Sequence, residues 1–437
     1  MFLNRNKTIN YKLLLVLILT SLIPLVYSTT RIHFLGSLPD AWAFSIASQV
    51  AWLNVSYEVL REALLLPLMY ILGQSIAEDN SYQKRVSTSL SVFVLSYLVM
   101  TLIVVFFTPA LVKAMQQQDV IFEQTVNYIR LESIAIFVSS LFAFFNLVLV
   151  LKNNQKALCG LLFIQTVLII ICDTVFVSQL SFSLQLGVNG IAMTNICVNL
   201  VLGIVSYGYL KKSGVSVHSV TFLNQSWLKE WLKIGSKSGL ESLVRNTAFI
   251  VMVLQLINQV QQSGPFWVTN NFIWGWLLLP VLALGQLIKQ DAATNNGMTE
   301  QRVNHYLILT GGIVVIWLVT IPAWESFIRN IMGVGNSEEI MRIALLMIGF
   351  YVIFALNNVI DSYFYGIGRT DLMLYQSLLV NSLFYGGAFI AYQVGWFEPT
   401  LDRIAVMFGL GMTIDAIITF FLYFWLRKQS NKVYAVA

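Results

Sequence analysis

The sequence predicts an all-α integral membrane protein. Its twelve transmembrane helices form two six-helix pseudo-symmetric lobes, with N and C termini cytoplasmic. Composition, a count of apolar stretches and an internal repeat carry this reading. Of 437 residues, 57% are hydrophobic and only 11% charged, and the mean hydropathy is +0.73. A soluble chain carries about 25% charged residues, so soluble enzymes, disordered proteins and nucleic-acid binders are excluded. The 13% aromatic content with 11 Trp suits a chain with many membrane-interface positions. The net charge of +5 is unremarkable, because basic residues orient membrane proteins rather than recruit polyanions.

A membrane helix needs roughly 20 mostly apolar residues. Such stretches have cores near 13–36, 43–72, 87–111, 128–151, 157–180 and 187–210 in the first half. Those of the second half lie near 234–258, 266–288, 304–324, 342–364, 372–394 and 403–426. With a cytoplasmic N-terminus, seventeen Lys and Arg residues fall in inside segments, among them Lys84, Arg85, Lys152, Lys211, Lys212, Lys289, Arg302 and Arg427. Only Lys113, Arg329 and Arg403 fall outside. That asymmetry fixes the orientation, and the even span count agrees. A competing reading takes residues 1–28 as a signal peptide, with a basic start, an apolar run from Leu13 to Leu25 and the small-residue end Val26-Tyr27-Ser28. It would leave eleven spans and destroy the duplication.

That duplication appears at a shift near 213 residues. Leu66-Pro67 pairs with Leu279-Pro280, Gly73-Gln74 with Gly285-Gln286, and Arg130 with Arg342. Phe142-Ala143 pairs with Phe354-Ala355, Asn146 with Asn358, and Ile191-Ala192 with Ile404-Ala405. Agreement across four separated spans makes the repeat. Six spans per half make it parallel, about an axis along the membrane normal, an arrangement typical of transporters working by alternating access. The lobes are then 1–212 and 234–437. The connector 213–233 alternates Trp227, Leu228 and Trp231 with lysines, and reads as an amphipathic helix on the cytoplasmic surface.

Cys159, Cys172 and Cys197 form no CxxC pair, and His33, His218 and His305 are scattered, so neither disulfide nor metal site is expected. No nucleophile–base constellation or Gly-rich phosphate loop points to an enzyme.

Several segments carry a family resemblance. Gly36-Ser37-Leu38-Pro39-Asp40 followed by Ile46-Ala47-Ser48, Gln74 at the end of span two, and Leu186-Gly187-Val188-Asn189-Gly190-Ile191-Ala192 are among them. So are Ile234-Gly235 with Leu240-Glu241-Ser242-Leu243, and Gly366-Ile367-Gly368-Arg369-Thr370 after span ten. Together they resemble the multidrug and toxic-compound extrusion (MATE) family, within the superfamily that includes lipid-linked oligosaccharide flippases. The resemblance covers nearly the whole chain. It implies a secondary active transporter in the cell (plasma or inner) membrane, exporting a small organic solute. It also implies a monomer in the lipid bilayer, without cofactor or nucleic-acid partner, driven by a proton or sodium gradient. The alternative is a flippase for a lipid-linked oligosaccharide. The turn 366–370 needs no family argument: two glycines permit positive φ and a tight reversal.

Ionisable residues inside spans are expensive and mark pathways or relays. Arg31, Glu58, Arg61, Glu62, Asp173, Glu241, Arg245, Asp361 and Asp415 are the candidates. Glu58, Arg61 and Glu62 share one face of span two; Glu241 and Arg245 share one face of span seven. Asp361 lies near the cytoplasmic end of span ten, where contact with headgroups or water is cheap. Asp415 is mid-span and lacks an in-helix partner. Asn195 and the adjacent Asn357-Asn358 lead a set of intramembrane amides, which bond across helices or line a cavity. Trp267, Trp274 and Trp276 are interface anchors or walls for a flat ligand. The resemblance places a cation-binding acid at Asp173, while Arg31 and Arg245 stand where relatives keep acids. Coupling is then atypical. Either Arg31 substitutes for the coupling cation opposite Asp173, or Arg31 and Arg245 offer guanidinium groups to an anionic or zwitterionic substrate, or both are simply paired, Arg31 with Asp173 and Arg245 with Glu241. The expected pathway residues are thus Arg31, Glu58, Asp173, Asn195, Glu241, Arg245, Asn357 and Asp415.

Overall fold

The structure is a computed structural model. It describes residues 9–36, 50–114, 122–178, 180–215, 226–254, 256–257, 260, 263–295, 297–332 and 337–436, and no strand occurs among them. The helices are α1 (Tyr11–Gly36), α2 (Val50–Gly73), α3 (Asp79–Ala114), α4 (Phe122–Leu151), α5 (Gln155–Phe176) and α6 (Gly187–Lys212). They continue as α7 (Ser226–Phe249), α8 (Ser263–Asn270), α9 (Leu279–Thr294), α10 (Glu300–Asn330) and α11 (Ser337–Gly366). The last are α12 (Thr370–Leu379), α13 (Gly386–Gln393) and α14 (Leu401–Val436).

Helical segments lie on all twelve predicted stretches. Seven, α3 to α6 with α10, α11 and α14, are long and apolar enough to cross a membrane, or eight when the bent pair 268–277 and 279–294 is one span. For two of the others, α2 and α7, the physical reason they fall short is charge. Glu58, Arg61 and Glu62 sit inside α2, and α7 carries Lys229, Glu230, Lys233, Lys237, Glu241 and Arg245. The bend of 49° has Pro280 at its start and the π-helical turn Asn271–Leu277 before it. Proline removes a helical donor and clashes with the preceding turn, which accounts for the break. Further π-helical turns, Ile250–Leu254 and Val380–Tyr385, follow α7 and α12.

The chain divides into two compact units, one of Leu19–Leu228 and one of Lys229–Ala437 with the chain up to Ile18. In the first unit α4 is the hub, packing on α2, α3, α5 and α6. In the second, α11 is the hub, packing on α8, α9, α10, α12 and α14. These hubs are the helices paired by the repeat through Arg130 and Arg342. The two arginines have diverged in use. Arg130 Nε donates to the Val105 carbonyl at 3.2 Å, whereas Arg342 grips Asp402 with both Nη atoms at 2.7 and 2.8 Å. Outward faces are apolar, with Phe106, Phe163 and Val319 all more than two-thirds exposed, as expected where lipid is the solvent.

Trp227 and Trp231 at the start of α7 are 9% and 1% exposed, so both rings are buried in protein rather than laid on a membrane surface. The turn after α11 also differs from expectation. Gly368 has φ +73°, but Gly366 is there for close packing. A Cβ on Gly366 would lie 2.6 Å from Ala292 Cβ and 2.8 Å from the Lys289 carbonyl oxygen. One further contact of the same crossing involves Gly285, where a Cβ would come within 2.8 Å of both Asn358 Nδ2 and Ser362 Oγ. Small residues let α9 and α11 approach closely, and Asn358 Nδ2 donates to the Val281 carbonyl across the gap at 3.2 Å. Gly285→Leu is expected to force the helices apart and cost about 1–3 kcal/mol. A lower unfolding midpoint in detergent checks it; an unchanged midpoint would refute the close crossing.

Candidate functional site

The second unit brings together a polar cluster on α11, α12 and α14. Asn357 and Asp361 are four apart on α11, hence on one face. Asp415 and Thr419 are four apart on α14. Asn357 Nδ2 donates to Asp361 Oδ2 at 3.0 Å and to Asp415 Oδ2 at 3.2 Å. Thr419 Oγ1 donates to Asp361 Oδ1 at 3.2 Å. Gln376 of α12 is buried in the same unit. Asn357, Gln376 and Thr419 are buried, whereas the two carboxylates are partly accessible. Two side-chain oxygens here, Asn357 Oδ1 and Gln376 Oε1, are buried without a donor. Two carboxylates therefore share one amide group, among further acceptors. Such a site takes up positive charge: a shared proton or a small cation relieves both the like-charge repulsion and the missing donors.

The predicted residues Asn357 and Asp415 thus meet. Asp361, which the sequence places against headgroups or water, is in the same cluster, and Gln376 and Thr419 are additions. The signal for Asp361 was the i,i+4 spacing from Asn357. Glu241 is buried on α7; Tyr365 Oη donates to its Oε2 at 3.1 Å, and Arg245 Nη1 lies 3.3 Å from its Oε1. Of the readings open for Arg245, the in-helix pair is therefore the one present, although about half of the arginine side chain is exposed. Other amides bond their own preceding turn. Asn246 and Asn381 donate to the Ser242 and Ser377 carbonyls at 2.8 and 2.7 Å. Trp274 Nε1 donates to Tyr351 Oη at 3.0 Å, which ties the edge of that indole to α11. Trp267 lies outside the described side chains.

In the first unit, Glu58 Oε1 accepts from Arg61 Nη2 at 2.7 Å. Both line a cavity of about 300 Å³, walled by Tyr57, Phe93, Tyr97 and Ser139. Asn195 Nδ2 donates to Glu132 Oε1 at 3.4 Å, a span-four acid that sequence reasoning passed over. Asp173 is buried on α5. Arg31 falls on α1, but its side chain lies outside the described residues, as does that of Asn54. Among the described residues, no group of three His, Cys, Asp or Glu is arranged to hold a metal ion.

Solved structures share this fold. One is a MATE in complex with MaD5, at TM-score 0.79 and 16% identity, covering 96% of both chains. Another is a Vibrio cholerae MATE transporter, at TM-score 0.80 and 14% identity, again covering 96% of each. A third is a MOP superfamily transporter from Pyrococcus furiosus, at TM-score 0.79 and 15% identity over 97% of this chain and 96% of that one. For that protein, reverse polarity of the binding pocket suggests a different function. No protein-family profile matches the sequence, and no curated protein matches it either. The chain therefore has the fold of the MATE transporters of the MOP superfamily. With its long apolar helices, it is a multi-pass membrane protein.

Proposed function

We propose that this chain is a MATE-like secondary active transporter of the cell membrane rather than an enzyme. In this reading twelve spans form two lobes with both termini cytoplasmic, and alternating access exports a small organic solute of anionic or zwitterionic character. The observation that carries coupling is the Asp361–Asn357–Asp415 cluster, where two carboxylates share one amide donor. Coupling is atypical because Arg31 and Arg245 replace acids expected from the resemblance. Asp361 and Asp415 supply the negative charge instead, and a proton or sodium gradient drives the cycle without a cofactor. Arg245 tunes Glu241, while Arg31, Glu58, Asp173 and Asn195 belong to the pathway of the first lobe. The protein works as a monomer.

The flippase reading has one observation on its side. A protein of the same fold has a pocket of reverse polarity, and Arg31, Arg61 and Arg245 offer guanidinium groups that suit a diphosphate. The separating experiment uses proteoliposomes with imposed sodium or proton gradients. Gradient-dependent flux of anionic or zwitterionic solutes is the expected result. Gradient-independent solute flux by folded protein, with translocation of a lipid-linked oligosaccharide, would overturn the exporter reading in favour of the flippase.

A further inference from the structure

The cavity of the first unit is built from three helices, and its walls differ in chemistry. Tyr57, Glu58 and Arg61 line it from one face of α2, Phe93 and Tyr97 from α3, and Ser139 and Ser140 from α4. Its volume is about 300 Å³, at the bottom of the roughly 300–1,000 Å³ range of small-molecule pockets. That is room for a solute with one ring.

One wall is aromatic. The ring centres of Phe93 and Tyr97 are 4.5 Å apart, and those of Tyr57 and Tyr97 6.2 Å. The Tyr57 hydroxyl hydrogen-bonds Thr101 Oγ1 at 3.1 Å. All three rings are buried, so this wall stands ready-formed for an aromatic ligand. The other wall is polar. Ser139 and Ser140 spend their hydroxyl hydrogens on the Ile136 and Phe137 carbonyls, at 3.0 and 2.6 Å. Those oxygens are left with acceptor lone pairs only. Glu58 adds a carboxylate, and Arg61 supplies donors. Arg61 Nη2 lies 2.7 Å from Glu58 Oε1, with the side chains 56% and 34% exposed. Intramembrane charges face protein or water-filled cavities, and an ion pair open to water is weak. A ligand can therefore part this pair cheaply.

The charge pattern selects the ligand. An anion reaches Arg61 but meets the Glu58 carboxylate and the serine lone pairs. A cation suits those acceptors and the ring faces but meets Arg61. A neutral solute forgoes the charge-assisted bonds. A zwitterion satisfies both sides. Because Glu58 and Arg61 are in contact, its two charges must also lie close together.

We propose that this cavity binds a single-ring aromatic zwitterion of the amino-acid type, with ammonium and carboxylate on one carbon. Glu58 and the two serine oxygens take the ammonium, Arg61 takes the carboxylate, and the ring lies against Tyr57, Phe93 and Tyr97. This narrows the solute class of the proposed function, and rests on that reading for calling the ligand a transported solute.

The test is isothermal titration calorimetry on the full chain in detergent. The probes are phenylalanine, hydrocinnamate, phenethylamine and para-aminomethylbenzoate, a zwitterion whose charges stand across the ring. Phenylalanine should bind about tenfold more tightly than each of the others, the worth of one charge-assisted hydrogen bond. Glu58→Gln should weaken phenylalanine about tenfold, yet leave hydrocinnamate as tight or tighter. Arg61→Gln should weaken phenylalanine by a similar factor, yet leave phenethylamine as tight or tighter. A damaged fold would weaken every probe alike. The comparison of probes on the native chain carries the test even where a variant does not fold. Absence of phenylalanine binding, single-charge probes that bind as tightly, or phenylalanine affinity unchanged in both variants overturns the proposal. Binding in detergent needs no gradient. Phenylalanine binding without gradient-driven flux would sink the transporter reading alone, and flux of other solutes without phenylalanine binding would sink this inference alone.

Discussion

Asp415→Asn is expected to lower gradient-driven transport about a hundredfold, toward the upper range of site-to-site coupling, without unfolding the protein. Asp361→Asn should do the same. The reasoning starts from hydrogen-bond supply. The native cluster offers two carboxylates, the Asn357 and Gln376 amides and the Thr419 hydroxyl, and leaves Asn357 Oδ1 and Gln376 Oε1 without donors. An asparagine at 361 or 415 keeps the shape of the side chain and brings an NH₂ group among unsatisfied acceptors. It also removes one of two like charges. Both changes favour the folded state, so the unfolding midpoint should hold or rise. What is lost is the ability to bind and release a proton or cation as the cycle proceeds. The measurement is substrate flux in proteoliposomes under an imposed gradient, beside the thermal midpoint of the same variants. Full gradient-driven flux in Asp415→Asn and Asp361→Asn would remove the pair from the coupling path. A collapsed midpoint would show instead that the charges are structural. Asn357→Leu separates these readings further, since it deletes the shared donor and leaves the repulsion, and should destabilise the fold outright.

The membrane character and the helical class were legible because both depend on composition averaged over about 20 residues. The expected in-helix pairs are also present. Glu58 with Arg61 and Glu241 with Arg245 follow from the geometry of a single helix. What the sequence obscured depends on contacts between helices. Its position near the end of span ten puts Asp361 at a water-facing end, yet α11 runs on to Gly366 and α14 supplies Thr419 and Asp415 opposite it. Asp415 lacked a partner in its own helix because Asn357, 58 positions away, is that partner. Trp227 and Trp231 have the alternation of a surface helix, but protein rather than lipid covers them, and alternation alone does not say which. The sequence of the turn suggests backbone freedom at Gly366; its role is the close approach of α9, which no one-dimensional pattern marks. Glu132 escaped notice for the opposite reason: nothing near it in sequence is charged except Arg130, while Asn195 on α6 reaches it across the unit.

Asp291→Asn is expected to be among the most damaging single changes outside the spans, at about 3–5 kcal/mol, the range for a buried charge left without its partner. Asp291 and Arg302 flank the connection between α9 and α10 and would pass for ordinary cytoplasmic charges. Instead Asp291 is 6% exposed, and three side chains converge on it through four hydrogen bonds. Arg302 binds it through Nε to Oδ2 and through Nη2 to Oδ1, the latter at 2.8 Å. Tyr306 Oη donates to Oδ2 at 2.9 Å, and Asn295 Nδ2 to Oδ1 at 2.8 Å. An asparagine presents one oxygen where two are used, and sets an NH₂ against donors. It also leaves the Arg302 guanidinium, only 14% exposed, facing a neutral group. The consequence reaches the transport cluster, because this clamp fixes the end of α9, and α9 carries Gly285 against the α11 helix that bears Asn357 and Asp361. Asp291→Asn should therefore lower the thermal midpoint and weaken coupled flux together. A double-mutant cycle with Arg302→Gln should be strongly non-additive, since the second change removes the stranded charge. Additive losses, or a midpoint equal to that of the native chain, would mean that solvent already screens the pair and that α9 is held by its apolar face alone.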